Sequence, residues 1–406
     1  DRLRTRLEMI YLDHAATTPV KPEALQAAWP WLTNEFGNPS STHELGHRSH
    51  VALEQARESV ARFFNARPAE ITFTSGGTES DNLGIIGLAL ANPRGKHIVS
   101  AHTEHEAVLS AIEFLERVHS FETTWVALDA FGSVMNFDAT LRPDTTLVSL
   151  MVANNEIGTL HNIAELAAAA HKVGALFHTD AVQALGKIPV EFSALNVQAL
   201  TLSAHKIYGP KGAGALVVDK RLDLRAVLTG GGQERGLRGG TENVPAIVGF
   251  GAACEIAAGR LNELGFRLSG LRERLEQGLT GMGAVIFGAQ APRLPNTSYF
   301  AFRGIHGETL VIELDKAGYA VGSGAACSST DNAPSGTLLL NGETKPLLPA
   351  GYLAGSEGSA GRRWHRCGSR RCVSRFRHRL LCILDRLQFR RLDQPAVAHR
   401  HLHQRP

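Results

Sequence analysis

Ile71-Thr72-Phe73-Thr74-Ser75-Gly76-Gly77-Thr78-Glu79-Ser80-Asp81-Asn82 is a short β-branched run that breaks at two glycines and opens a helical stretch. That order, a buried strand, a glycine turn, then a helix, repeats with variations to about residue 218. His97–Ser100 and residues 147–152, 175–178 and 213–218 have the β-branched, apolar character of buried strands. Between them, residues 79–90 and 106–118 and the Ala-rich Ile163–Lys172 have helical composition. Strands alternating with helices specify an α/β layer around a largely parallel sheet, whose ligand-binding residues gather in loops beyond the strand ends. An amphipathic helix is expected from residue 255 to about 279, with strand-like pieces at 285–287 and 297–302, which suits a smaller α+β unit. No internal repeat is present.

The 406 residues exceed one ordinary core, and 43% hydrophobic with 20% charged residues is the balance of a globular protein. No apolar run approaches the ~20 residues that span a bilayer. The basic start, Asp1-Arg2-Leu3-Arg4, has no apolar stretch behind it and reads as a short extension before Met9 rather than a signal peptide. Five cysteines (Cys254, Cys327, Cys367, Cys372, Cys382) are an odd set in a long chain, which argues against a disulfide framework and for a cytoplasmic location. The net charge of +3 is uneven: residues 361–406 carry thirteen Arg and two Asp, so the remainder is acidic. The overall sign is therefore no sign of nucleic-acid binding, and neither nucleic-acid nor membrane contact is expected.

Three segments carry chemistry. In the opening stretch, Gly77 lets backbone N–H groups approach an anion at a helix N-terminus, and Thr78 adds a hydroxyl; such turns are as often only turns. In His178-Thr179-Asp180-Ala181-Val182-Gln183, a carboxylate at a strand end either holds a ring nitrogen protonated or, the commoner case, caps a following helix. In Ser203-Ala204-His205-Lys206-Ile207-Tyr208-Gly209-Pro210, a lysine between an apolar strand and a Gly/Pro turn is either a desolvated, carbonyl-reactive amine or an exposed loop residue. Ser203 and His205 flank it as phosphate donors. Farther on, Val321-Gly322-Ser323-Gly324-Ala325-Ala326-Cys327-Ser328-Ser329 surrounds one thiol with small residues, open enough for a nucleophile and poor in core for a buried cysteine. Cys254, in an apolar helical stretch, reads as structural.

In this order the segments resemble the cysteine desulfurases of the class V aminotransferase superfamily. The resemblance runs from Tyr11-Leu12-Asp13-His14-Ala15-Ala16-Thr17-Thr18-Pro19 to about Ser335. It takes in Phe36-Gly37-Asn38-Pro39, Glu104-His105-Glu106-Ala107, Ala153-Asn154-Asn155-Glu156, Gly230-Gly231-Gly232-Gln233-Glu234-Arg235 and Gly239-Gly240-Thr241-Glu242-Asn243. It implies the fold of type I pyridoxal-phosphate (PLP) transferases: a large domain over 18–255 with a mainly parallel mixed sheet between helices. A smaller α+β domain would be built from 1–17 and 256–360, and 361–406 would be an atypical basic tail.

By the same resemblance Lys206 carries the cofactor, Asp180 pairs with the ring nitrogen and Gln183 contacts the ring hydroxyl. His105 stacks on the ring face, and Asn155 lies near cofactor and substrate. Gly77, Thr78, Ser203 and His205 would bind the phosphate, while Thr241 would reach the phosphate of a partner subunit in a homodimer. No metal is implied. The activity implied is conversion of L-cysteine to L-alanine. Freed Lys206 removes the α-proton, Cys327 attacks the substrate sulfur and becomes a persulfide, and His105 shuttles protons. The longer loop around Cys327 resembles the NifS-like group, and the sulfur would pass to acceptor proteins such as an iron–sulfur scaffold. The alternatives are a selenocysteine lyase, a class V aminotransferase, which has no use for Cys327, or an impaired chain acting as scaffold or sulfur relay.

The resemblance fails after Ser335. A substrate-gripping arginine is expected where Ala354 stands, and its absence would weaken carboxylate binding. Residues 364–375 can be encoded by codons that, shifted one base, resemble the family's last helix, so the tail is expected to be out of frame and disordered. Cys367 and Cys372 lack the close spacing of a zinc knuckle.

Overall fold

The computed structural model describes residues 9–303, 305, 307–323, the backbone of 347–348 and 352–353, and Leu380. Its central sheet has seven strands: β1 (Ile71–Thr74), β2 (His97–Ser100), β3 (Glu122–Trp125), β4 (Thr145–Ser149), β5 (Leu176–Asp180), β6 (Ala199–Ser203) and β7 (Gly214–Val218). They lie in the order β1-β7-β6-β5-β4-β2-β3. Every neighbouring pair is parallel except those β7 makes with β1 and β6. The connection from Ser203 to Gly214 explains the exception: it is too short for a crossover helix, so the chain returns antiparallel. All residues of β1, β2, β4, β6 and β7 are buried, which is why they read as β-branched runs rather than alternating ones.

Helices cover both faces of the sheet. Among them are α1 (Pro22–Ala28), α2 (Glu44–Phe63), α3 (Gly77–Ala91), α4 (Glu106–His119), α5 (Ile163–Lys172), α6 (Val244–Ala258), α7 (Leu261–Gly281) and α8 (Gly307–Lys316). On one face Phe64, Phe73, Phe177, Leu150 and Phe250 form a continuous core, with α6 packed on α1 and α2. On the other, Ile85, Leu88, Ile112 and Leu115 of α3 and α4 meet Ile98, Leu147 and Leu216 of the strands. A third cluster joins Leu279, Ala284, Phe302, Leu310, Leu314, Tyr319 and Leu380, with Ile10 and Leu12 packed against it. There the strand Ile10–Tyr11 pairs in parallel with Tyr319–Ala320. Among the described residues no single helix is long and apolar enough to cross a membrane.

Three elements differ from the sequence expectation. The helix expected over 255–279 is two, α6 and α7, bent by 72° across the break between them, where Gly259 caps α6. The strand expected over 147–152 ends at Ser149, although Leu150 N and Val152 N still donate to His178 O and Asp180 O of β5. The 20-residue α2 has no counterpart in the sequence expectation; its buried face is built of Gly46, Ser49, Ala52, Leu53, Ala56, Arg57, Val60 and Ala61.

Candidate active site

The parallel strands deliver the sequence-marked residues to one end of the sheet. Thr74, Asp180 and Ser203 end β1, β5 and β6, while His105 and Asn155 lie in the connections that follow β2 and β4. Gly77 is the first residue of α3. A Cβ at that position would stand 3.1 Å from Val182 Cγ2 and 3.6 Å from Ser203 Cβ, so a larger residue would press on the Val182 side chain where the helix N-terminus approaches the end of β6. Beside it, Ser203 Oγ is buried without a hydrogen-bond partner. An orphan hydroxyl next to unpaired helix N–H groups fits an anion. Thr78 follows on the exposed side of the same turn.

The helix that Asp180 would cap is absent, because a series of turns follows it. Its Oδ1 accepts from Val182 N at 2.7 Å, a turn bond two residues on, and the side chain is buried. Burial pushes its carboxyl up, while His105, the Val182 amide and Lys206 oppose that rise. Asp81 and Glu104 nearby are pushed well above the carboxylate range, first by burial and also by the charge of Asp180. Of the three buried acids, Asp180 is the one on which cationic side chains act against the effect of burial. His178 on the same strand bonds Ser149 Oγ and Thr201 Oγ1; burial drives it down to about 3, so it is neutral.

Lys206 Nζ donates to the carbonyls of Ala15 and, at 2.8 Å, Ala16. Gln183 Nε2 also donates to Ala15 O, at 3.0 Å, and Gln183 Oε1 accepts from Lys187 Nζ at 2.8 Å. The Lys206 turn is latched to residues 17–18: Thr18 Oγ1 donates to His205 O and accepts from Tyr208 N, and His205 Nδ1 lies 3.0 Å from Thr17 Oγ1. Burial, with the cations of Lys206, Lys211 and Lys187, pushes His205 down to about 4. It is thus a neutral imidazole, a hydrogen-bonding partner for a phosphate rather than a counter-charge. His105 caps α4, accepting from Ala107 N at Nδ1, which leaves Nε2 as its protonated nitrogen.

Asn155 is half-buried in the turn after β4. That turn is shaped by Asn154, whose Oδ1 accepts from Glu156 N and Ile157 N and whose Nδ2 donates to Thr103 O in the segment before His105. Thr241 is exposed, on a loop anchored by Arg238 to Glu79 and by the buried pair of Glu234 with Arg57. Cys327 and Ala354, like most of the tail, lie outside the described residues. Cys254 is buried in α6 and burial pushes its thiol up, so it is a protonated, inert sulfur. Lys187, Asp81, Glu104 and Asn154 were not singled out as site residues in the sequence.

These residues fit a phosphorylated pyridine aldehyde. Lys206 supplies an amine, Asp180 a buried carboxyl, and Gly77 with Ser203 an anion cradle whose hydroxyl lacks a partner. Residues 10–339 match the model of the aminotransferase class-V family. A relative described as cysteine desulfurase IscS, from Dictyoglomus turgidum, is 44% identical over 334 residues, which cover 81% of this chain and 84% of the relative. A solved NifS-like protein superposes with a TM-score of 0.75 at 38% identity, covering 78% of this chain and 88% of that one. Another, SspA in complex with cysteine, has a TM-score of 0.69 at 33% identity and covers 83% and 95%. The sheet order, the residues gathered at its end and these likenesses agree: the chain belongs to the aminotransferase class-V family, with the fold of the NifS-like proteins.

Proposed function

We propose that the chain is a PLP-dependent cysteine desulfurase, which converts L-cysteine to L-alanine and leaves the sulfur on Cys327. The observation that carries this is that Lys206 and Gln183 meet at Ala15 O, with Lys206 acting on the buried Asp180 carboxyl, while Ser203 Oγ at the end of β6 is buried without a partner. The cofactor, when bound, supplies an electron sink for the charge left on the substrate α-carbon. Lys206 would hold it, Asp180 would keep its ring nitrogen protonated, and Gly77, Thr78, Ser203 and His205 would bind its phosphate. Lys206 Nζ then serves as base at the α-carbon, and His105 Nε2 gives and takes protons at the substrate. The Cys327 thiol takes the substrate sulfur: a sulfur–sulfur bond forms, the carbon–sulfur bond breaks, and a proton completes the alanine methyl group. Cysteine and Cys327–SH thus become alanine and Cys327–S–SH with no outside oxidant.

The relatives' description as desulfurases and the match to SspA in complex with cysteine support the choice of substrate. A homodimer is the assembly proposed, with exposed Thr241 reaching the partner's site; Trp29, Leu32 and Phe36, at 59%, 60% and 70% exposure, supply apolar surface for it. Delivery to an iron–sulfur scaffold or another acceptor, in the reducing cytoplasm where a free thiol persists, completes the proposal. Borohydride reduction of the PLP-loaded protein, followed by peptide mass mapping, tests the cofactor assignment. The adduct is expected on Lys206, and an adduct elsewhere overturns it.

A further inference from the structure

Lys187 is 8% exposed, a rare fate for a lysine. Burial first, then the charge of Lys206, pushes its amine down to about 7. Its Nζ donates to Gln183 Oε1 at 2.8 Å. Gln183 Nε2 must face Ala15 O, 3.0 Å away, because a carbonyl only accepts. The orientation of the amide is thereby set from both ends, and Ala15 O also receives Lys206 Nζ. Lys187, Gln183, Ala15 and Lys206 form one hydrogen-bonded chain, with an amine at each end.

We propose that Lys187 is a positioning residue for the cofactor: it fixes the Gln183 amide so that Nε2 faces the cofactor's ring hydroxyl, and it sets a second amine within electrostatic reach of Lys206. This rests on the PLP assignment made above. The other charged or titratable groups linked to these two amines are His205, held neutral by burial and by the cations around it, Asp13, on which Lys206 acts, and Asp180. None of them contacts the Gln183 oxygen among the hydrogen bonds of the described residues. Lys187 touches Gln183 rather than substrate, so it acts through that amide.

The test uses PLP-loaded full chain and two readouts: the rate of cofactor release, and the pH midpoint at which its visible absorbance changes. Lys187→Met keeps length and apolar bulk but loses the donor. It is expected to retain cofactor on Lys206, to release it about tenfold faster, as the loss of a charge-assisted hydrogen bond does, and to raise the midpoint by about half a unit or more, because a nearby cation has gone. Gln183→Leu is expected to release cofactor as fast but without that rise in midpoint, since it keeps Lys187, and adding Lys187→Met to it should change release no further. A lysine that merely stabilised the fold would lower the melting temperature and leave both readouts unmoved. If Lys187→Met does not fold, Lys187→Gln carries the test, with faster release expected from a donor too short to reach Gln183. Wild-type values in the Lys187 variant, or a full additional effect on the Gln183→Leu background, overturn the proposal while leaving the PLP assignment standing. A wild-type chain that takes up no PLP overturns both.

Discussion

Asp180 has one backbone donor at 2.7 Å and a carboxyl on which His105, the Val182 amide and Lys206 act against burial. Asp180→Asn would keep the local shape and remove the charge. The substitution is expected to leave PLP on Lys206 and to cut sulfide release on the order of 10²-fold or more, the loss typical of a preorganised electrostatic group; steady-state assays check it, and near-wild-type turnover would deny Asp180 its role. Sequence alone left Asp180 divided between capping a helix and catalysis because the same strand-end position serves both; turns follow it instead of a helix, and its local bond is to Val182 N. Lys187 was illegible for a different reason. Lysine is normally a surface residue, and in Ala184-Leu185-Gly186-Lys187-Ile188-Pro189 nothing announces that its amine turns inward to Gln183.

At the level of elements, the strands were the legible part. β1 and β2 have the bounds their β-branched runs suggest, because strands buried on both faces concentrate apolar residues. α2 has no counterpart in that reading, and its buried face mixes Gly, Ser, Ala and Arg. That face holds Arg57, bidentate to Glu234 at 2.8 Å on both arms, with side chains 3% and 1% exposed. Glu234 also accepts from Phe73 N of β1. Arg57→Met should therefore strand a buried carboxylate and cost about 3–5 kcal/mol, read by urea denaturation; a loss below 1 kcal/mol would mean the pair is dispensable. At the start of α3, Gly77→Ala would put a methyl into the space beside Val182 and Ser203. Cofactor affinity is expected to fall about tenfold through lost close approach of the helix N–H groups, with circular dichroism unchanged. Unaltered PLP titration would show that this turn is only a turn.

Across the whole molecule, the site draws on the first residues and on the Lys206 turn, brought together by Thr17, Thr18, His205 and Tyr208. Such long-range latches leave no local signature, although the motifs they join are recognisable one by one. The acid response of the fold is also collective. His178, bonded between β4 and β6, has its pKa lowered from 6.5 to about 3 by burial. The unfolded chain therefore takes up that proton first, and its contribution is lost progressively as pH falls from about 6.5 toward about 3. The stability advantage of wild type over His178→Gln should shrink across that window in urea titrations; a constant gap would remove His178 from the acid response.

The desulfurase proposal is tested most directly by sulfide and alanine released from L-cysteine by the PLP-loaded chain, beside Lys206→Ala and Cys327→Ala. Sulfide and alanine appearing in equal amounts in the presence of a thiol reductant, and lost in both variants, is the outcome expected. PLP bound at Lys206 without any sulfide, or sulfide that persists in Cys327→Ala, would contradict it.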